Sequence, residues 1–204
     1  MASQGPLNPA TAADNAGTGT IVWTNPGNIF SSNNVYATSV YTSPTPTNSH
    51  FLIATNFGFS IPAGATIDGV VVEVETGTTG AAFENIIKLV KGGVVSGSNL
   101  VVGFGAWPGP DTIASFGSSS NLWGNTLTYS DINASDFGVA YSVTGQKSGK
   151  SNVTIRVDHI RITVYYTGGG GGGGSNSAFL AFFRKLGRFL TWRPRVAAWS
   201  PIKV

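Results

Sequence analysis

From Thr20 onward, apolar and polar residues alternate in short runs broken by turn formers, the period of half-buried β-strands. TIVWT, NVYATSVYT and HFLIATNFGFSI, separated by NPGN (25–28) and SPTPTNS (43–49), predict successive antiparallel strands. The clearest unit is IPAGATIDGVVVEVET. After a turn at Pro62-Ala63-Gly64, Val70, Val72 and Val74 alternate with Val71, Glu73 and Glu75, so one face is buried and the other wet. NIIKLVKGGVVSG repeats the pattern, with Lys88 and Lys91 beside a hairpin turn at Gly92-Gly93. A Gly/Pro/Trp loop at 103–110 leads to IASFGSSSNLWG and then to TYSDINASDFGVAYSVTG. There, Ser130-Asp131 and Ala134-Ser135-Asp136 read as local turns before a strand at 137–144.

The last run, SNVTIRVDHIRITVYYT, changes phase. Val153, Ile155 and Val157 share one parity, whereas Ile160, Ile162, Val164 and Tyr166 share the other. A β-bulge near Asp158-His159 would bring both halves to the core, and on this pattern alone a one-residue deletion there should throw one half outward. About eight short strands with polar turns predict an all-β antiparallel sandwich over residues 19–167. Residues 1–18, rich in Ala, Asn, Thr and Pro, predict an extended arm outside it.

Composition agrees with that class: 10% of residues are charged, and 28 glycines stand against one methionine, so helix should be scarce. The 204 residues suffice for one substantial core with appendages. With no cysteine, disulfides and thiolate metal sites are excluded. The N-terminus lacks the basic and apolar regions of a secretory signal, and no run approaches the roughly 20 apolar residues of a spanning helix, so a chain made in the cytosol is expected.

The net charge of +3 and the pI of 9.3 suggest nucleic acid until the chain is divided. Residues 1–167 hold six Lys/Arg and all nine Asp/Glu, a net of −3, while residues 168–204 hold the other six bases and no acid. The basicity belongs to the tail, which marks an interaction segment, and no nucleic-acid partner is expected.

That tail has two parts. Residues 168–176, beginning with seven glycines, predict a flexible linker with an r.m.s. span of ~15 Å. Residues 177–204 predict a basic, aromatic docking peptide. At helical spacing Phe179, Phe182, Phe183, Leu186, Phe189 and Leu190 fall within an arc of roughly 120°, with Arg184, Lys185 and Arg188 opposite. Ser175 or Ser177 can cap the helix and Pro194 forbids extension much beyond Trp192, giving about 13 residues or ~20 Å. Trp192 and Trp199 would continue the footprint as an extended strip. Burying the stripe represents roughly 9–18 kcal/mol of gross transfer energy before ordering costs, which calls for a partner surface.

Candidate chemistry is sparse. His50 and His159 have no His/Asp/Glu partner at metal-ligand spacing, and Asp158-His159 is expected to point away from the core or to bond locally. Glu73 and Glu75 share a strand face that reads as solvated. The glycine run lacks the strand–loop–helix context and the Lys-Ser/Thr of a phosphate loop. Trp107, Trp123 and Tyr129 lie near predicted loops and are the candidates for stacking on a cell-surface glycan, against the alternative that they pack in the core. No catalytic residue, cofactor or metal is expected.

The phrases IPAGATIDGVVVEVE, LVKGG, FGSSSNLWG, SDINASDFGV and VDHIRITVYYT together resemble a β-sandwich module of tailed-bacteriophage virion proteins and related prophage-like bacterial proteins. The match covers residues 61–167, with weaker support from 20–60. The resemblance implies a jelly-roll-like domain in a structural or appendage protein of a virus particle, with no catalytic residues. With the tail, this gives a capsid-decoration or tail-appendage protein located on the virion, anchored to a capsid or tail protein through residues 177–204. It would also form a homo-oligomer, a trimer being favoured. The alternatives are a glycan-binding, adhesin-like module and a peripheral membrane protein held by its basic amphipathic helix.

Overall fold

The structure, a computed structural model, describes residues 1–101 and 111–168. In chain order the strands are β1 (Ala2–Leu7), β2 (Thr11–Asn15), β3 (Ala37–Tyr41), β4 (Thr47–Asn48), β5 (Phe51–Thr55), β6 (Ala65–Thr78), β7 (Ala82–Lys91), β8 (Val94–Ser96), β9 (Thr112–Ser118), β10 (Gly138–Gly145) and β11 (Val153–Gly168), with helix α1 at Tyr129–Asn133. They form two antiparallel sheets. One runs β1-β11-β6-β9, with β3 also on β11; the other runs β2-β5-β10-β7-β8, with β4 also on β10. Apart from the β4/β5 and β7/β8 pairs, consecutive strands alternate between sheets, which is the connectivity of a jelly-roll-like sandwich.

The two longest strands, β6 and β11, pair with each other and supply much of the core. Val70, Val72 and Val74 face inward beside Ile160, Ile162 and Val164, all fully buried. Across the gap they meet Leu52, Ile87, Leu89, Val139 and Val143 in one cluster, each aliphatic side chain contributing about 1.5–3 kcal/mol of gross burial. The predicted bulge is present: pairing with β6 passes from Val157–Thr76 to His159–Glu75, leaving Asp158 as the extra residue. Gly92 and Gly93 both have positive φ, as a two-residue turn between β7 and β8 requires.

Several expectations need correction. Residues 2–15 are not an arm outside the sandwich: β1 pairs with β11 in one sheet and β2 with β5 in the other. They hold by backbone pairing, so their weak hydrophobicity is that of edge strands. TIVWT forms no strand, only single bridges from Ile21 to Ser49 and from Thr24 to Thr38, because it passes from one sheet to the other at the end of the sandwich. The turn at Ser130-Asp131 is the short helix α1, where the Thr128 hydroxyl and Asp131 carboxylate cap each other's backbone N–H. Gly168, assigned to the linker, ends β11 opposite Ala65. The rest of the linker and the docking residues Phe179 to Trp199 lie outside the described residues.

Candidate functional site

Of the three candidate glycan aromatics, Trp107 lies outside the described residues. Trp123 is 0% exposed, with its indole N–H donating to the Val70 carbonyl at 2.9 Å, so its ring is a core element with no face for a ligand. Tyr129 is half-buried at the start of α1 and packs against the core cluster. The expected stacking platform is therefore not assembled from Trp123 and Tyr129.

The structure instead opens a cleft of about 450 Å³ between the sheets, beside edge strand β9, lined among the described residues by Glu84, Leu100, Val101, Ala114, Ser115, Phe116, Gly117 and Asn121. Ala114 and Phe116 pair with Val74 and Val72 and so face inward, yet both stay half-exposed at the sheet margin. Glu84 reaches the same side through a second bulge. The β10–β7 register passes from Ser142–Ile86 to Val143–Glu84, which puts Asn85 out of step and turns Glu84 inward with Val143. Strict alternation would have placed Glu84 outside with Ile86, so sequence reasoning missed it. Burial, then the Glu84 carboxylate and Tyr41, push the Tyr141 hydroxyl well above its ordinary range.

Elsewhere the charges hold the fold together. His50 Nδ1 lies 2.8 Å from Asp14 Oδ2, a partner from β2 that sequence spacing did not reveal. Asp14 Oδ1 also accepts the Trp23 N–H at 2.7 Å, and the His50 carbonyl accepts the Trp23 indole N–H at 3.0 Å, so the pair pins the crossing segment. Glu73 lies on the outer sheet face as expected, but it is clamped by Arg161 through two hydrogen bonds of 2.9 and 3.1 Å. Arg156 lies 3.3 Å from Asp111 and stacks over the Tyr36 ring, and the Tyr36 hydroxyl donates to Asp111 at 2.7 Å. That hydrogen bond, then burial, raises the Tyr36 hydroxyl above its usual range.

Asp158 does not point away from the core. It is 1% exposed and accepts the backbone N–H groups of Asn33 and Asn34, from a loop distant in sequence. His159 is also buried, with Nε2 at 2.9 Å from Asn8 Oδ1. Among the described residues, no three His, Asp or Glu side chains converge as a metal cage, and no helix is long and apolar enough to cross a membrane.

Burial, then the charge of Arg161, depresses His159 below its ordinary 6.5. The folded domain therefore holds the ring neutral where the unfolded chain would protonate it. The resulting stability is complete above pH 6.5 and is lost as pH falls from there through the lower folded value. His159→Gln keeps an amide donor for Asn8, so its melting temperature should fall less than the parent's between about pH 7 and about pH 5. Equal losses in the two proteins would remove His159 from the account.

No family model matches the chain, and no curated protein does. A solved structure described as "CBM4 structure and function" aligns with a TM-score of 0.33 at 8% identity, covering 65% of this chain and 85% of that one. A likeness that distant carries no functional argument.

Proposed function

We propose that the chain is a non-catalytic attachment module, a β-sandwich carried on a glycine linker and held on another protein by residues 177–204. The observation that supports this reading is that, among the described residues, both sheets are built between Ala2 and Gly168 and the buried cluster runs from Trp23 to Val164. The stripe of Phe179, Phe182, Phe183, Leu186, Phe189 and Leu190 follows seven glycines in the sequence and, at helical spacing, calls for a surface to bury it. That stripe supplies affinity, Arg184, Lys185 and Arg188 supply orientation, and Trp192 and Trp199 extend the contact. The resemblance of residues 61–167 to virion modules supports a capsid or tail protein as the partner.

The test is attachment to assembled particles, scored beside thermal melting. A chain ending at Gly168 should melt cooperatively and fail to attach. Phe182→Asp in the full chain should melt like the parent and attach roughly a hundredfold more weakly, since a charge would enter the buried face. Parental attachment by Phe182→Asp, or loss of cooperative melting in the shortened chain, overturns the reading. Flotation of the parent with anionic liposomes, lost in Phe182→Asp, would assign the tail to a membrane surface instead.

A second reading, carbohydrate recognition, has one observation in its favour. The cleft beside β9 combines a half-exposed phenyl face, an amide and a carboxylate, in a volume usual for small-ligand sites. Retention of the full chain on immobilised polysaccharide would favour it over attachment.

A further inference from the structure

Sheet edges carry unpaired N–H and C=O groups, and natural proteins guard them with charge, proline, bulges, short length or a covering segment. Among the described residues, three of the four edges are guarded. β1 contains Pro6 and a register break between Gln4 and Leu7, and β3, on the same side of β11, is covered by Thr24, which exchanges backbone bonds of 2.8 and 3.0 Å with Thr38. β8 has three residues, and β2 has five and carries Asp14. β9 differs: TIASFGS is seven residues long, has no charge and no proline, and exposes Ile113 by 53%.

The direction of its backbone groups follows from β6. Val70 donates its N–H to the Asn121 carbonyl at 3.0 Å, and its own carbonyl accepts the Trp123 indole N–H at 2.9 Å, so both groups face the β9 side. By alternation Val72, Val74 and Thr76 face that side too, and their partners Phe116, Ala114 and Thr112 return the bonds. Ile113 and Ser115 therefore direct their N–H and C=O groups out of the sheet. Between Thr112 and Gly117, no backbone group on that side bonds to a described residue outside β6.

We propose that β9 is a homodimer interface, pairing antiparallel with β9 of a second copy about a two-fold axis through Ser115. The strand is complementary to itself in this register. Ser115 faces its own counterpart, Phe116 lies opposite Ala114 and Ile113 opposite Gly117, so each large side chain meets a small one and no like charges meet. The half-exposed inner row, Ala114 and Phe116, and the exposed Ile113 are both covered by the same contact. Gly117 has a φ of +85°, which bends the strand at its end and sets the limit of the paired stretch. Antiparallel self-pairing is isologous and closes at two subunits, so this edge does not build the trimer expected from the sequence. The contact is built from residues of β9 alone.

The test uses the full chain. Sedimentation equilibrium at submillimolar concentration should show a dimer in the parent and in Phe182→Asp. Ser115→Lys puts like charges face to face across the axis while leaving an exposed site in the monomer, and should weaken dimerisation at least about tenfold with an unchanged melting temperature. Because the chain has no cysteine, Ser115→Cys accepts a single nitroxide label. Its spectrum should show strong dipolar broadening that disappears on dilution with unlabelled chain. A monomeric parent, a Ser115→Lys dimer as tight as the parent's, or a label without broadening overturns the proposal. Should Ser115→Lys lower the melting temperature, the label measurement alone decides.

Discussion

Deleting Arg161 is expected to abolish cooperative melting, whereas deleting Asp158 should leave a folded domain of lower stability. The contrast follows from the β11 register. Pairing with β6 runs through Val157–Thr76, His159–Glu75 and Ile160–Val74, with Asp158 opposite nothing. Without Asp158 the sequence Val153-Thr-Ile-Arg-Val-His-Ile-Arg-Ile-Thr-Val164 alternates without a break, and every inward side chain keeps its partner. This corrects the expectation drawn from the phase change alone, that shortening the strand at the bulge would turn half of it outward. What is lost is the carboxylate that receives the Asn33 and Asn34 N–H groups, at a cost of about 1–3 kcal/mol. Deleting Arg161 instead moves Ile162 and Val164 to the outer face and Thr163 inward, or, if the bulge is absorbed, turns His159 into the apolar row between the sheets and expels Ile160. Two aliphatics at about 1.5–3 kcal/mol each, a buried polar group and the lost Glu73 clamp together approach the whole stability of a domain. Circular dichroism melts of the two deletions check the prediction, and a cooperative Arg161 deletion would refute the register.

The same strand shows what the sequence could and could not reveal. Wherever burial on one face dictates residue type, as at Val70, Val72 and Val74 or at the slip near Asp158, periodicity located both the strand and its bulge. The β7 bulge at Asn85 left no such mark, because Phe83, Glu84 and Asn85 mix polar and apolar residues without a rule, and so the inward turn of Glu84 was invisible. The N-terminal strands were missed for a different reason. Ala2–Leu7 and Thr11–Asn15 are held by main-chain pairing at sheet edges, which any side chain tolerates. Contacts such as Asp14–His50 and Asp158–Asn34 join segments far apart in sequence, and nothing local in either member announces the other.

Trp123→Ala should lower the melting temperature by on the order of 10 °C or more, the consequence of losing about 3–5 kcal/mol in a domain of this size. The sequence placed Trp123 beside Gly124 and a run of serines, the setting of an exposed loop aromatic, and a sugar-stacking role followed from that setting. In the structure the loop folds back over the edge of the sandwich. Trp123 takes a positive φ of 58°, its N–H donates to Asn121 Oδ1 at 2.7 Å, its carbonyl accepts the Ser98 N–H at 2.6 Å, and the ring enters the core. Gly117 is part of the arrangement, since a Cβ there would run into the Val70 carbonyl and the indole. Truncation to Ala removes the largest fully buried side chain among the described residues and leaves the Val70 carbonyl without its donor. Trp123→Phe refills part of the space and should recover part of the loss, the remainder being the unsatisfied carbonyl at about 1–3 kcal/mol. A ligand-stacking tryptophan would behave in the opposite way: both variants would melt like the parent, and only retention on polysaccharide would change. Thermal melts of the two variants separate these cases, and a parental melting temperature in Trp123→Ala would return the side chain to the surface and reopen the glycan role.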